Sequence, residues 1–125
     1  MGLTYVTAKV SDLAKKGTPF DAEFLVDTGS IDCMAPAQNL LAAGVQPEAK
    51  ETYELANGQP IEYEIAHVWL EFLGEKTATR IIFGPADTKP LMGVVALEST
   101  GHVVDPVTGT IKRMRAKPLK SISQT

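Results

Sequence analysis

The chain has one cysteine, Cys33, in 125 residues. That excludes an internal disulfide framework and any metal site built on several thiolates. Long apolar runs are absent too. None approaches the roughly 18 residues of a membrane helix, so no membrane span is expected. The N-terminus lacks a basic stretch followed by an apolar core, and no secretory signal is expected. Met1-Gly2 opens as a myristoylation site does, but Val6 stands where that motif requires Ser or Thr. These absences together lead to the expectation of a cytoplasmic protein.

What is present is ordinary for a globular chain. Hydrophobic residues make up 44% and charged residues 22%, in a length that suits one domain with a modest core. The net charge of −3 hides an asymmetry. Residues 1–111 hold seven basic against fifteen acidic side chains, whereas residues 112–125 hold Lys112, Arg113, Arg115, Lys117 and Lys120 and no acid. A basic tail suggests nucleic acid or an anionic membrane as a partner. No aromatic residue interleaves these charges, so a solvated terminus is expected and no nucleic-acid partner. The division read from this pattern is a domain over 1–114 and a basic tail over 115–125.

The hydropathy pattern is one of short strands. From Tyr5 to Val10, Val6, Ala8 and Val10 share one face and Tyr5, Thr7 and Lys9 the other. From Phe20 to Val26, Phe20, Ala22, Phe24 and Val26 share a face. Asn57-Gly58, between Tyr53–Leu55 and Ile61–Ile65, is a hairpin signal, because both residues tolerate positive φ. Ile61 to Phe72 is long for one strand, which predicts a bend near Ala66-His67. A strand follows over Thr77–Phe83, and a last hairpin turns at Asp105-Pro106-Val107-Thr108-Gly109. Helix is scarce: Ala37–Ala43, with Pro36 before it and Gly44 after it, and Val94–Ser99, closed by Gly101. The expectation is an all-β chain folded as a small barrel with one or two short helices. Phe24–Gly44 and Ile81–Gly101 also echo each other: each runs strand, apolar stretch, short helix, glycine.

One carboxylate stands out. Asp27 ends the apolar run Phe24-Leu25-Val26, where an acid must be hydrogen-bonded, paired or protonated. Thr28 and Ser30 supply hydroxyls that can orient it, and Gly29 permits close approach. The same residues also fit a plain Asx-turn at a strand end. Other candidates are weaker. His67 and His102 are far apart with no nearby acid pattern and read as strand or surface residues. Cys33 reads as a small packing residue, and Trp69 and Phe72 as core. Asp32, Asp87 and Asp105 read as loop or turn residues. Glu48, Glu51, Glu54, Glu62 and Glu64 form an acidic stretch that reads as a solvated face; if it borders a site, it favours basic or neutral substrates. No metal and no cofactor is expected.

Phe24-Leu25-Val26-Asp27-Thr28-Gly29-Ser30 resembles the catalytic signature of aspartic proteases. The later motifs follow the order of the retropepsin-like subgroup, the single-domain retroviral type and its bacterial relatives. Leu55–Ile65 stands where that family has its hairpin flap, Ile81-Ile82-Phe83-Gly84-Pro85 where it has an apolar-Gly-Pro segment, and Leu91-Met92-Gly93 before the helix that follows. The resemblance covers about residues 4–114. It implies a partly closed acid-protease barrel, a β-hairpin flap and an active homodimer. It also implies endopeptidase activity on a peptide or protein substrate. It makes Asp27, Thr28 and Gly29 catalytic, and places Ser30 and the flap tip Ala56, Asn57, Gly58 and Gln59 at the substrate. One Asp-Thr-Gly per chain means the second carboxylate comes from a second copy. Two departures stand out. Viral members carry an Asp and an Arg where this chain has Ile31 and Val94, so an apolar contact is expected in place of their ion pair. The flap tip holds one glycine where viral flaps hold several. The alternative reading is a catalytically silent barrel of the same fold that binds a peptide or partner. A self-processing regulator acting on one client fits the same residues.

Overall fold

The structure is a computed structural model that describes residues 3–119. It contains nine strands and two helices among those residues: β1 (Tyr5–Asp12), β2 (Phe20–Val26), β3 (Cys33–Pro36), α1 (Ala37–Ala42), β4 (Ala49–Glu54), β5 (Pro60–Phe72), β6 (Glu75–Gly84), β7 (Leu91–Met92), α2 (Val94–Ser99), β8 (His102–Val104) and β9 (Ile111–Arg113). The expected small all-β barrel with two short helices is present. Its main sheet runs β1-β2-β7-β3-β6-β5-β4, and pairing of β1 with β5 closes six of these strands into a barrel.

Alternation in the sequence becomes inside and outside in the barrel. Val6, Ala8 and Val10 of β1 point inward, as do Phe24 of β2, Cys33 and Ala35 of β3, Ala66, Val68, Leu70 and Phe72 of β5, Ile81 and Phe83 of β6, and Met92 of β7. Phe20, Ala22 and Val26 pack against this core from its edge. The short helices plug the barrel with Leu40 from α1 and Ala96 and Leu97 from α2. Most of these side chains lose nearly all their exposed surface, and that burial is the main force holding the domain together.

One sequence expectation is refined here and one is corrected. β5 runs through Ala66-His67 as one uninterrupted strand, and its pairing partner changes there. Residues 60–65 pair with β4, and residues 65–72 pair with β6. Its first half therefore projects beyond the barrel in a hairpin with β4, while its second half is barrel wall. Trp69 is not core. It lies three residues before buried Phe72, hence on the opposite face of a strand. There its indole donates to the Leu13 carbonyl at 3.2 Å and the Lys76 ammonium sits 4.5 Å over its ring.

The sequence echo recurs in the strand pairing. Leu25 of β2 pairs in parallel with Leu91 of β7, and its counterpart Ile82 of β6 pairs in parallel with Met34 of β3. Met34 and Leu91, which correspond to each other in the two copies, pair with each other. The two copies thus exchange strands about a local two-fold at the Met34–Leu91 pair. Each then runs into a six-residue helix that ends near a glycine of positive φ, Gly44 (88°) or Gly101 (81°).

Past the barrel, β8 and β9 form the expected hairpin around the Asp105 turn, where the Val107 amide donates to Asp105 Oδ1 at 2.8 Å. Part of the basic C-terminal charge is tied down. Lys112 meets Asp105 at 3.2 Å, Arg113 meets Glu75 at 2.7 Å, and Lys117 Nζ donates to the Ser99 carbonyl at 2.8 Å. Lys120 and the residues after it lie outside the described residues. No helix among the described residues is long and apolar enough to cross a membrane.

Candidate active site

β2 delivers Asp27 to the end of the barrel wall. The Asp27 amide donates to the Met92 carbonyl at 2.9 Å, which fixes the strand end against β7. The chain then turns, with the Ser30 amide donating to the Asp27 carbonyl at 3.1 Å. Both carboxylate oxygens are held from within this turn. Oδ1 accepts the Gly29 amide at 2.9 Å, and Oδ2 accepts the Ser30 hydroxyl at 3.1 Å. The first contact is the Asx-turn that the local sequence suggests; the second adds an orienting group that an Asx-turn does not need. Of the two hydroxyls expected to orient Asp27, only that of Ser30 does so. Thr28 is exposed, and its hydroxyl makes no hydrogen bond among the described residues.

The glycine that permits a close backbone approach is Gly93 rather than Gly29. A Cβ on Gly29 would lie 3.3 Å from Asp27 Oδ1, whereas one on Gly93 would lie 2.4 Å from the Ile31 carbonyl oxygen. The loop after Asp27 rests on the first turn of α2, where the Val94 amide donates to the Ser30 carbonyl at 2.8 Å. Next to that contact, Ile31 is 67% exposed and Val95 48% exposed. Val94, which the sequence pattern places in an apolar contact with Ile31, is half-buried, and Val95 is the outward member of the pair.

Beside the Asp27 turn lies a cleft of about 360 Å³. Gly29, Ser30, Ile31, Asp32, Met34, Ile82 and Leu91 line one side, and Tyr53, Glu54, Leu55 and Tyr63 of the β4–β5 hairpin line the other. Its walls are mostly apolar, its only charges are Asp32 and Glu54, and no basic side chain lines it. The hairpin tip does not line it. Ala56, Asn57, Gly58 and Gln59 are all exposed, in a turn closed by the Leu55 amide on the Gln59 carbonyl at 2.8 Å. Of the candidate site residues, Gly29 and Ser30 line the cleft; Asp27 lies behind them, bonded to both, and Thr28 and the four tip residues lie outside it. A second depression of about 380 Å³, among Thr7, Lys9, Asp21, Glu71 and Lys76, carries charges of both signs.

Sequence reading missed Asp32 and Tyr53. The Tyr53 hydroxyl donates to Asp32 Oδ2 at 2.6 Å, from β4 to the loop. Burial, and then the neighbouring carboxylate, push the Tyr53 hydroxyl pKa up and keep it a donor. The alternation of Tyr53 and Tyr63 across the hairpin was the available signal, because it puts both rings on one face. Their centroids lie 6.4 Å apart.

Both histidines lie in strands, His67 in β5 and His102 in β8, as the sequence suggests. His67 has an acid partner, Glu48, whose Oε1 lies 3.0 Å from Nδ1 and whose Oε2 accepts the His67 amide at 2.8 Å. His102 is buried against Phe72, with Nδ1 2.9 Å from the Thr100 hydroxyl. Cys33 is a packing residue; burial pushes its thiol up to about 11. Among the described residues no three His, Cys, Asp or Glu side chains gather as metal ligands would. No protein-family model matches the chain, and no curated protein matches it.

Proposed function

We propose that the protein is a retropepsin-like aspartic endopeptidase, formed by two copies of the chain that each contribute Asp27. The observation that carries this reading is the Asp27 carboxylate, gripped at both oxygens by Gly29 and Ser30, two residues that line an apolar cleft. The β4–β5 hairpin is the flap. A peptide lies extended between it and the Asp27 loop, its side chains entering alternating pockets and its backbone meeting the tip at Ala56–Gln59.

Two facing carboxylates about 3 Å apart cannot both ionise, so the pair holds one proton. The ionised Asp27 takes a proton from water as the water oxygen attacks the scissile carbonyl carbon. The protonated Asp27 of the second copy gives its proton to the carbonyl oxygen. In the resulting diol the C–N bond breaks. The nitrogen receives the proton first taken from water, and one diol hydroxyl returns a proton to the other carboxylate. The products are an acid and an amine, and the pair again holds one proton. Activity is therefore bell-shaped in pH, since the fully protonated and fully ionised pairs are both idle.

The test is cleavage of a peptide library by the wild type and by Asp27→Asn, with and without an aspartic-protease inhibitor. The wild type should cut and be inhibited, and the near-isosteric variant should lose at least about a hundredfold in rate while unfolding at the same urea concentration. Equal cleavage by the two proteins would remove Asp27 from the chemistry. A wild type that binds peptides and cuts none would leave the silent binding domain as the reading.

A further inference from the structure

β4 is the free end of the main sheet and pairs with β5 alone. Side chains along it supply further ties. Glu48, just before it, holds His67 of β5; Glu51 meets Arg80 of β6 at 2.9 Å; and Tyr53 donates to Asp32 at 2.6 Å. The first two ties fasten the base of the hairpin to barrel wall. Only the third, among the described residues, joins the hairpin to the loop that carries Asp27.

We propose that Tyr53 is a positioning residue for the cleft: its hydroxyl, bonded to Asp32, holds the β4–β5 hairpin at a fixed distance from the Asp27 loop. The consequence for turnover rests on the protease reading; the tie itself does not. A hydroxyl donating to a carboxylate at this distance is a charge-assisted bond, about twice as strong as a neutral one. The half-buried setting strengthens it by keeping water away. Tyr53 also stands where the two sides of the cleft meet, with Tyr63 and Leu55 on its own side and Ile31 and Met34 opposite. With the tie made, the cleft exists before substrate arrives, and binding does not have to order the hairpin. Asp27 is not touched by the tie, so its effect falls on binding and not on the chemical step.

Three variants separate the parts. Tyr53→Phe removes the hydroxyl and keeps the ring, Asp32→Ala removes the acceptor, and Asp32→Asn keeps an acceptor oxygen. In the free protein, Tyr53→Phe and Asp32→Ala should speed amide exchange about tenfold in residues 53–61, the factor expected on losing one charge-assisted bond. Asp32→Asn, which keeps an acceptor oxygen but loses the charge, should fall between the wild type and Asp32→Ala, and exchange in β1 and β6 should not change. On a cleaved peptide, Tyr53→Phe should raise KM about tenfold and leave kcat within about twofold. Unchanged exchange in the hairpin, an increase spread evenly over the barrel, or a fall in kcat at constant KM would each overturn the proposal. If the wild type cleaves nothing, the protease reading fails, and the exchange pattern alone decides whether the tie exists.

Discussion

Gly93 lies so close to Ile31 that a side chain at position 93 has no room: its Cβ would stand 2.4 Å from the Ile31 carbonyl oxygen and 2.6 Å from that of Asp32. The Asp27 loop can rest on α2 because this residue is a glycine. Gly93→Ala should push the loop outward at a cost of about 1–3 kcal/mol, the usual penalty for overfilling a packed site. Urea unfolding would show it as a lower midpoint at unchanged slope. Because the displaced loop carries Asp27, the surviving folded protein should also turn over more slowly.

Glu48 links stability to pH. Its hydrogen bonds from the His67 side chain and amide hold its carboxyl below the ordinary value of 4.5. A carboxylate with a depressed folded pKa adds stability that is fully present above its unfolded pKa and is lost as pH falls through the folded pKa. Glu48→Gln should therefore cost stability at pH 7, and the cost should shrink as pH falls below 4.5 and the wild-type group takes up its proton. The pair is exposed, so solvent screening keeps the difference below about 1 kcal/mol. Urea midpoints of the two proteins, separated at pH 7 and converging as the pH is lowered below 4.5, would confirm it.

The barrel was legible in the sequence because period-two alternation in β1 and β2 reports burial directly. The helices were legible because Pro36, Gly44 and Gly101 mark their ends, and α2 was placed at Val94–Ser99, where it lies. Residues Asp27, Gly29 and Ser30 were legible for the same local reason: a turn of four residues builds the whole arrangement. What escaped was long-range. The Tyr53–Asp32 bond joins residues 21 apart in sequence, and Glu48 reaches His67 across 19. Nothing in either neighbourhood names its partner. The change of partner along β5 escaped because hydropathy along one strand does not name its neighbours, which here switch at Ile65. Trp69 was misplaced because its size outweighed its phase on the strand.

Ile31 and Val95 form an exposed apolar pair beside the Asp27 turn, where the proposed second copy docks. An Asp in place of Ile31 would bring two like charges together at a symmetric contact, with little water to screen them. Ile31→Asp should shift sedimentation to the monomer and abolish cleavage, while the unfolding midpoint of the single domain changes by less than about 0.5 kcal/mol, as for an exposed site. Moderate salt should not dissociate the proposed dimer, because Ile31 and Val95 carry no charge.

In the proposed protease one active site needs an Asp27 from each of two chains, and mixing chains tests this. Wild-type protein is combined with Asp27→Asn protein, the subunits are allowed to exchange, and cleavage is compared with that of the same amount of wild type alone. Random pairing leaves wild-type pairs in proportion to the square of the wild-type fraction. Activity should therefore fall to about half in an equal mixture and to about a tenth with a tenfold excess of variant. Activity that stays equal to that of the wild-type chains present, whatever the excess of variant, would mean that each chain works alone and would contradict the account.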